Sequence, residues 1–323
     1  MVRGMTTTLR IVAEACGIDI STVSRALRGD ARVAAATAAH IKAVAERLGY
    51  RPNLAARALQ AGATRTMWLI AGNLESLFER RLASETASAI EPTGYDLLIA
   101  SHHDQATTFD HLCGRLEQGV TDAALIIAPN GAMPASAALE RLIARRWPLM
   151  FLDRSPGNDQ YPTVTSDNAG MSRDLIQRLA ANGAQRVVLF RSADNAVAST
   201  RQRAALAEAQ RLQLDVCIDA RPAWLAADRR PLAVFATSQS EVHAFCMQHA
   251  EHLRDTRLTA AVFDSWVGEP HPLQSIEVAV QDFSGLAARA AQRVRAVIEH
   301  PETWSAANEQ LPPLRIERIE ARF

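Results

Sequence analysis

The sequence predicts a two-part chain, in which a small all-α head precedes an α/β body built of two doubly wound parallel-sheet subdomains. Helical periodicity breaks at Gly17 near the N-terminus, and from Met67 onward short apolar runs alternate with helical patterns. The net charge also differs between the head and the body. Residues 1–62 contain nine Lys or Arg and four Asp or Glu, a net of +5, and the remainder contains 26 and 31, a net of −5. A basic head on an acidic body is typical of a nucleic-acid-binding module joined to another domain.

The head begins with two short predicted helices around Gly17. Thr8 can cap the first helix, whose apolar residues repeat at three- and four-residue spacing. Gly17 suits the reversal, because a residue without Cβ tolerates a positive φ. Asp19 is predicted to cap the second helix, Ile20–Leu27. Two short helices joined by such a turn form a helix-turn-helix, whose second helix lies in the major groove of DNA.

The second helix carries the residues expected to read DNA. Arg25 has the planar guanidinium that pairs bidentately with guanine, and the amides of a helix N-terminus can meet phosphate. The alternative is a three-helix bundle that makes no DNA contact. The residues predicted to contact DNA from the head are Thr8, Ile20, Ser21, Thr22, Ser24 and Arg25.

Several motifs are similar to those of one family. VAEACGI, STVSRAL, RLGYRPN and ARALQAGATRT, leading into a strand at MWLIAG, resemble the lactose/galactose repressor family of bacterial regulators. YDLLIASHHDQ resembles the fructose-responsive branch of this family. The resemblance covers essentially the whole chain. It implies a DNA-binding domain over 5–52, a hinge helix and linker over 53–64, and an effector-binding and dimerisation domain of the periplasmic-binding-protein-like type over 65–323.

The hinge helix of this family forms only when two subunits bind DNA. By that resemblance Leu59 wedges into the minor groove and kinks the duplex, with Asn53 and Ala56 as further contacts. Without this role, residues 53–61 are an Ala-rich linker helix.

The third helix begins near Ala34, where the family usually carries a capping Ser. We therefore expect an under-capped helix, with Asp30 as the alternative cap.

The body reads as two doubly wound units, because its strands are apolar without alternation, as parallel strands covered on both faces are. We expect one subdomain at about 65–160 plus 265–282, the other at about 163–263 plus 283–323, and a ligand cleft at the carboxyl ends of the strands. The predicted strands are Met67–Ala71, Asp96–Ala100, Ala123–Ala128, Leu149–Leu152, Arg186–Phe190, Leu232–Ala236 and Ala260–Phe263. The predicted helices are Leu77–Ile90, Thr107–Gln118, Ala135–Arg146, Asp167–Ala181, Thr200–Leu212, Pro222–Asp228, Glu241–His252 and Phe283–His300.

Polar residues at the predicted strand ends supply the cleft. The resemblance implies ligand contacts from Asn73, Ser101, Arg154 and Asp264. A polyol needs paired donors and acceptors around its ring, which such residues provide. The alternative for Arg154 and its neighbour Asp153 is a structural salt bridge, and the alternative for residue 167 is a helix cap.

Three departures from the family pattern leave the ligand open. The cleft arginine of the family lies in an R-x-x-G-aromatic block, which here reads STRQRAALAEA, so that either Arg201 or Arg203 fits, with Arg201 preferred. Ser238–Gln239 stands where the family has Asn-Asp, which removes a carboxylate. Between residues 216 and 232 there is room only for a short helix. Its Trp224 either stacks on the ligand or covers the core of that shortened segment.

Enzymatic and metal-binding signatures are lacking. None of the G-x-G-x-x-G, G-x-x-x-x-G-K-[ST], G-x-S-x-G and H-E-x-x-H motifs occurs, so we expect no catalytic residues and no cofactor. His102–His103–Asp104 is predicted to be a solvated loop rather than a metal site, because adjacent side chains diverge. Four scattered cysteines, no apolar run near eighteen residues and no N-terminal leader favour the cytoplasm over a membrane or export.

The sequence therefore predicts a homodimeric transcription regulator, a repressor that binds a pseudo-palindromic DNA operator. A small carbohydrate or sugar phosphate in the cleft is expected to control its operator affinity. The alternative is a DNA-binding regulator with a degenerate pocket that answers to a protein partner. The identity of the ligand, the operator, the sign of the ligand's effect and the pairing of dimers into tetramers remain open at this point.

Overall fold

The computed structural model describes residues 7–51, 58, 62–131, 136–156, 160–190, 196–254, 256–268 and 272–320. The chain divides between Thr64 and Arg65 into two compact units. That division falls where the sequence predicts the linker to end. The head and the body are described separately below.

The head contains three helices, α1 (Leu9–Cys16), α2 (Ile20–Leu27) and α3 (Ala35–Arg47). The Thr8 hydroxyl accepts the Ile11 N–H at 3.4 Å, and the Asp19 carboxylate accepts the Ser21 N–H at 2.8 Å. Between the two helices Gly17 has φ +66°. The predicted caps and the glycine turn are therefore confirmed.

One fully buried β-branched residue from each helix forms the centre of the head: Val12, Val23 and Ile41. Burying such a side chain stabilises the fold by roughly 1.5–3 kcal/mol. Four further buried residues complete the core, namely Ala13, Ala26, Val44 and Ala45. With so small a core, we expect the start of α3 to matter for stability.

The start of α3 lacks a side-chain cap, as predicted. Ala34 occupies the N-cap position and forms no capping hydrogen bond. Asp30, the alternative cap, is engaged elsewhere, because its carboxylate accepts the Arg32 backbone N–H at 3.0 Å and pairs with the Arg32 guanidinium at 2.6 Å. The amides of the first turn therefore have no side-chain acceptor at this end of the helix.

The first lobe of the body is built on a sheet in the order β11-β5-β4-β3-β1-β2, and all of its pairs are parallel. Apolar cores cover both faces of the sheet, as doubly wound folds require. Its strands are β1 (Thr66–Ala71), β2 (Asp96–Ser101), β3 (Ala123–Ile126), β4 (Leu149–Leu152), β5 (Thr163–Ser166) and β11 (Asn308–Leu311). Its helices are α4 (Leu77–Ile90), α5 (Ala106–Glu117), α6 (Ala137–Ala144) and α12 (Phe283–Glu299).

The second lobe repeats this plan with the order β12-β10-β9-β8-β6-β7, and here only β12 runs antiparallel to its neighbour among the described strands. Its strands are β6 (Arg186–Leu189), β7 (Asp215–Ile218), β8 (Leu232–Phe235), β9 (Leu258–Phe263), β10 (Ser275–Val280) and β12 (Arg315–Glu320). Its helices are α7 (Asn168–Ala181), α8 (Ala196–Arg211), α9 (Pro222–Ala226), α10 (Gln239–Gln248) and α11 (Ala250–Leu253).

The predicted division of the body into subdomains is wrong at its crossings. Residues 265–282, expected in the first subdomain, contain β10, which pairs with β9 in the second lobe. The segment from 283 onward, expected in the second, first supplies α12, which buries Phe283 and Leu286 in the core of the first sheet, and β11. The chain returns to the second lobe only with β12. Local periodicity does not reveal which sheet a strand joins, because distant pairing decides it.

Several strands escaped the sequence analysis. β5, β11 and β12 are short or rich in polar residues, and β7 is a half-exposed edge strand. In the other direction, the predicted helix over 241–252 is divided at His249 into α10 and α11. Across the described residues, no helix combines the length and apolarity needed to cross a bilayer.

Substituting Ala34 by Ser should stabilise the head by about 0.5–2 kcal/mol, because the serine hydroxyl would accept an amide of the first turn of α3. Thermal unfolding of a fragment spanning residues 1–64 measures the gain. Ala39→Ser, at an exposed position inside α3, is the matched control. It should lower stability by a few tenths of a kcal/mol, since serine is a weaker helix former than alanine. Equal effects of the two substitutions would contradict the missing cap.

Candidate functional sites

The outer face of α2 carries the side chains expected to read DNA. Ile20 is 45% exposed, although it is a large apolar residue, and Ser21 and Arg25 are exposed beside it. Val23 and Ala26 are buried on the opposite face of the helix. The helix therefore presents one apolar, one hydroxyl and one guanidinium group outward, as the sequence predicts.

The other side chains predicted to contact DNA differ in their exposure and in the hydrogen bonds that they already form. Thr8 is exposed but its hydroxyl caps α1, and Thr22 is half-buried. Ser24 is half-buried, and its hydroxyl oxygen accepts the Arg28 guanidinium at 2.8 Å. The hinge predictions at Asn53, Ala56 and Leu59 lie outside the described residues.

A cavity of about 530 Å³ lies between the two lobes of the body. Its size is that of a small-molecule site. The first lobe lines it with Ser76, Leu77, Phe78, Arg81 and Phe283, and the second lobe lines it with Thr237, Ser238, Gln239, Ser240, His243, Phe263, Asp264 and Ser265. Asp264 is the predicted cleft residue that lies directly on its wall.

Asp153 and Asp264 occupy equivalent turns in the two lobes. Each follows a central strand with a positive φ, +59° and +72°, and its N–H donates to the neighbouring strand, at Val164 O and Ala279 O. The N–H of the next residue donates back to the carbonyl before the aspartate, at 2.7 Å and 2.9 Å. These are γ-turns, a strained conformation. Strain of this kind is concentrated at functional sites, where the surroundings hold it in place.

Arg201 lies on α8 and is buried at the junction of the lobes. Its Nε donates to Asn168 Oδ1 at 2.7 Å, and its guanidinium carbon lies 3.8 Å from the centroid of the Phe263 ring. Burial lowers the pKa of Arg201, and the charges of Asp264 and Asp153 oppose that shift. Arg203 is exposed and reaches only Thr200. Of the two arginines left open by the sequence, the structure brings Arg201 to the cleft.

A chain of buried hydrogen bonds links the lobe crossings to the cleft. The Ser166 hydroxyl at the end of β5 donates to Gln281 Oε1 at 2.7 Å, and Gln281 Nε2 donates to the Asp264 carboxylate. Asn168 donates to the Ser166 carbonyl at 3.0 Å. Two crossing segments and the cleft aspartate are therefore bonded through one glutamine. The sequence analysis did not identify it.

The two aspartates differ in how well they are satisfied. Burial raises the pKa of Asp264, against the charge of Arg201 and the Gln281 hydrogen bond. Burial also raises the pKa of Asp153, against the charges of Arg201 and Arg154. Within the part of the chain that the structure describes, Asp153 Oδ1 is buried without a hydrogen-bond partner. An unsatisfied buried acceptor costs about 1–3 kcal/mol, so a hydroxyl donor reaching it would be stabilising.

The remaining first-lobe predictions are committed to structural contacts. Arg154 pairs with buried Glu79 and donates to the Ala128 carbonyl at 3.0 Å, which is the salt-bridge alternative for this residue. The Ser101 hydroxyl donates to the Gly72 carbonyl. Asn73 is exposed, and its side chain accepts the Glu75 N–H at 2.9 Å. None of these three residues lines the cavity.

Trp224 lies away from the cleft, which corrects its prediction as a ligand contact. Its ring packs against the guanidinium of Arg186 at 3.9 Å, and its indole donates to Asp215 at 3.3 Å. Arg186 and Asp215 are the first residues of β6 and β7, whereas Asp264 follows the carboxyl end of β9. The tryptophan therefore covers the shortened segment at the amino ends of these strands, whereas the cleft lies at the carboxyl ends.

The predicted solvated loop at His102 is also corrected. His102 is fully buried, and its Nε2 lies 2.9 Å from the Ile127 carbonyl oxygen. Its Nδ1 accepts the Asp104 N–H at 3.0 Å, so the neutral ring carries its proton on Nε2. Burial lowers the pKa of His102. Over the described ranges, no group of three His, Cys, Asp or Glu side chains could hold a metal.

Further cavity residues went unrecognised in the sequence. Phe78 and Phe283 pack with ring centroids 5.5 Å apart, and the Arg81 guanidinium lies 4.8 Å from the Phe283 ring centroid. Gln281, which bonds the crossings to Asp264, could have been found in the sequence, because it is a polar residue directly after the apolar run of β10. The aromatic wall had no such signal, because it forms only when α12 returns to the first lobe.

The two units define a class of protein, in which a helix-turn-helix head precedes a two-lobed α/β body. Residues 8–53 match the model for "Bacterial regulatory proteins, lacI family". PtxS of Pseudomonas plecoglossicida, an HTH-type transcriptional regulator, is 29% identical over 204 residues, 62% of this chain and 58% of that protein. The maltose regulon regulatory protein MalI of Escherichia coli (strain K12) is 32% identical over 182 residues, 56% of this chain and 52% of that protein. The chain spans just over half the length of these curated relatives.

Solved structures share the fold of the whole chain. The lac repressor dimer bound to operator and the anti-inducer ONPF superposes with a TM-score of 0.77 at 18% identity, covering 98% of each chain. The Cra transcriptional dual regulator from Pseudomonas putida, in complex with fructose 1-phosphate, gives a TM-score of 0.62 at 18% identity over 80% of this chain and 99% of that one.

Residues 8–53 form a helix-turn-helix domain of the lacI family, and the chain is a relative of lacI-family transcriptional regulators. Its fold is that of the lac repressor, in which two α/β lobes follow the helical head in the chain. The named relatives are regulators rather than enzymes.

Gln281→Leu should destabilise the body by about 2–4 kcal/mol, because it leaves the buried Ser166 hydroxyl and the half-buried Asp264 carboxylate without their shared partner. Urea unfolding of the full chain, followed by tryptophan fluorescence, measures the loss. Gln248→Leu, at an exposed position ending α10, should change stability by less than about 0.5 kcal/mol. Similar stabilities for the two variants would mean that the crossings are held without Gln281.

Proposed function

We propose that the chain is a transcription regulator, and specifically a repressor, whose affinity for an operator is controlled by a small polyhydroxylated ligand in the cleft. The observation that carries the proposal is the cavity of about 530 Å³ lined from both lobes. It lies in the same chain as a lacI-family head whose α2 presents Ile20, Ser21 and Arg25 outward. Such a regulator acts on the chromosome, in the cytoplasm.

The lining of the cavity suits a carbohydrate. Hydroxyl groups of the second lobe, the carboxylate of Asp264 and the guanidinium of Arg81 supply acceptors and donors for a polyol. The rings of Phe78 and Phe283 offer apolar surface on the facing wall. The complex of Cra with fructose 1-phosphate, which has this fold, agrees in ligand class.

Ligand control follows from the position of the cavity between lobes. A ligand that contacts both lobes favours the arrangement in which they are closest, since it binds that arrangement more tightly. The buried Ser166–Gln281–Asp264 chain joins the crossing segments to the ligand wall, so a change at Asp264 reaches the crossings directly. We propose this chain as the coupling between occupancy and the arrangement of the lobes.

The proposal includes a homodimer that reads two half-sites. β2 is an edge strand of the first sheet, and its Leu98 and Ile99 are 48% and 49% exposed. Exposed apolar residues on an unpaired edge strand are prone to pair with another chain. We propose that a second copy covers this edge, which agrees with the dimeric lac repressor on its operator.

Selection of random DNA by the full chain should yield an inverted repeat, because a two-fold dimer reads two half-sites. On that sequence Arg25→Ala should weaken binding by about 1–3 kcal/mol and should change binding to random DNA little. Gel shifts at one fixed salt concentration measure both values. Lys42→Ala, exposed on α3, is the control and should not change the ratio of the two affinities. Equal losses on both DNAs for Arg25→Ala would assign this side chain to phosphate.

Thermal unfolding of the full chain with a panel of monosaccharides, disaccharides and their derivatives tests the ligand site. A ligand at a hundred times its Kd stabilises the native state by about 2.7 kcal/mol. Asp264→Asn should abolish the response, whereas Asp174→Asn, at an exposed position on α7, should preserve it. A panel without any stabilising compound would contradict the proposed ligand class and favour control by a protein partner.

A further inference from the structure

The charge of the cavity wall narrows the class of ligand. Arg81 lines the cavity from α4, and over the described parts of the chain it forms no ion pair. Its guanidinium lies 4.8 Å from the Phe283 ring centroid, and stacking on an aromatic face holds it at the wall. The edge of the guanidinium is then left to pair with a group inside the cavity.

The other arginines near the cavity interact with carboxyl groups of the protein. Arg154 is paired with Glu79. Burial raises the pKa of both Asp153 and Asp264, the charge of Arg201 acts against this effect, and the charge of Arg81 acts on Asp264 in the same direction as that of Arg201. Arg201 therefore interacts with two carboxyl groups of the protein, whereas the guanidinium edge of Arg81 is free of an ion pair within the described residues and can pair with a ligand.

The wall facing Arg81 contains hydroxyl groups rather than carboxylates. Thr237, Ser238, Ser240 and Ser265 line it, and His243 is the titratable group beside them. The Glu241 carboxylate faces the N-terminal end of α10, where it accepts the N–H groups of residues 237 and 238 at 2.7 Å and 3.2 Å. Apart from Asp264, the described residues that line the cavity include no carboxylate that would repel an anion.

We infer that the cavity takes a polyol that carries an anionic group, a carboxylate or a phosphate, and that Arg81 pairs with this group. Guanidinium forms two parallel hydrogen bonds with either oxyanion, and such charge-assisted pairs are about twice as strong as neutral ones. The hydroxyl wall and Asp264 then bind the polyol part. This inference rests on the proposed function of the cavity as the effector site.

Matched sets of ligands test it on the full chain. Each set contains a neutral sugar, its phosphate ester and its sugar acid, such as glucose, glucose 6-phosphate and gluconate, or fructose and fructose 1-phosphate. We expect thermal stabilisation by an anionic member at a concentration at which its neutral parent has no effect. Whether the phosphate or the acid responds identifies the source of the anion. Inorganic phosphate alone should give no comparable shift.

The Arg81→Gln variant links the preference to the residue. It should weaken binding of the anionic ligand by about ten-fold or more in calorimetric titration, equivalent to about 1.4 kcal/mol. Arg80→Gln is the matched control, because Arg80 is the exposed neighbour on the same helix and does not line the cavity. It should bind like the wild type.

The outcomes separate the inference from the proposed function. Equal stabilisation by neutral and anionic members would overturn the inference and leave the ligand site standing. Unchanged affinity in Arg81→Gln would overturn the assignment to Arg81. A panel without any stabilising member would overturn the proposed ligand site, and with it this inference.

Discussion

The body of this protein depends on one buried glutamine. Gln281 follows β10 at a lobe crossing, accepts the Ser166 hydroxyl from the other crossing and donates to Asp264 in the cleft. A buried side-chain amide needs hydrogen-bond partners for both its oxygen and its nitrogen, and Gln281 has one partner for each. The neighbouring residues continue the arrangement, because Asp167 and Asp282 each cap the helix that enters the next lobe. The geometry of the crossings and that of the ligand wall are therefore set by the same contacts.

The cleft combines charge, burial and strain in a way that a closed core would avoid. Asp153 and Asp264 have positive φ, a conformation that aspartate tolerates better than most residues. Each extends from its own lobe toward Arg201, and the electrostatic attraction opposes the cost of burying the three groups. Among the described residues, one carboxylate oxygen of Asp153 has no hydrogen-bond partner.

The sequence predicted local structure well and distant pairing poorly. α4 and β4 were predicted with the bounds that the structure has, because apolar spacing alone defines a buried helix face or strand. The caps at Thr8 and Asp19 followed from the chemistry of their side chains. The lobe assignment of β10 and α12 failed, because both belong to lobes chosen by pairing with distant segments. Arg81 was missed for the same reason, whereas Gln281 was missed although it directly follows the apolar residues of β10. For Trp224 the structure supports core cover, one of the two interpretations that the sequence left open.

The two lobes share one plan but present different walls. Both have the same relative strand order, although β12 of the second lobe is antiparallel, and both have γ-turn aspartates after a central strand and aspartate caps at the crossings. These shared features position the lobes and hold little information about a ligand. The information lies where the lobes differ, with aromatic rings and Arg81 on one side and hydroxyls on the other. Because the common plan sets the geometry, the chemistry of the two walls can change without altering the crossings between the lobes. Under the function proposed above, a regulator of this design can therefore acquire a new effector while the contacts at the crossings stay the same.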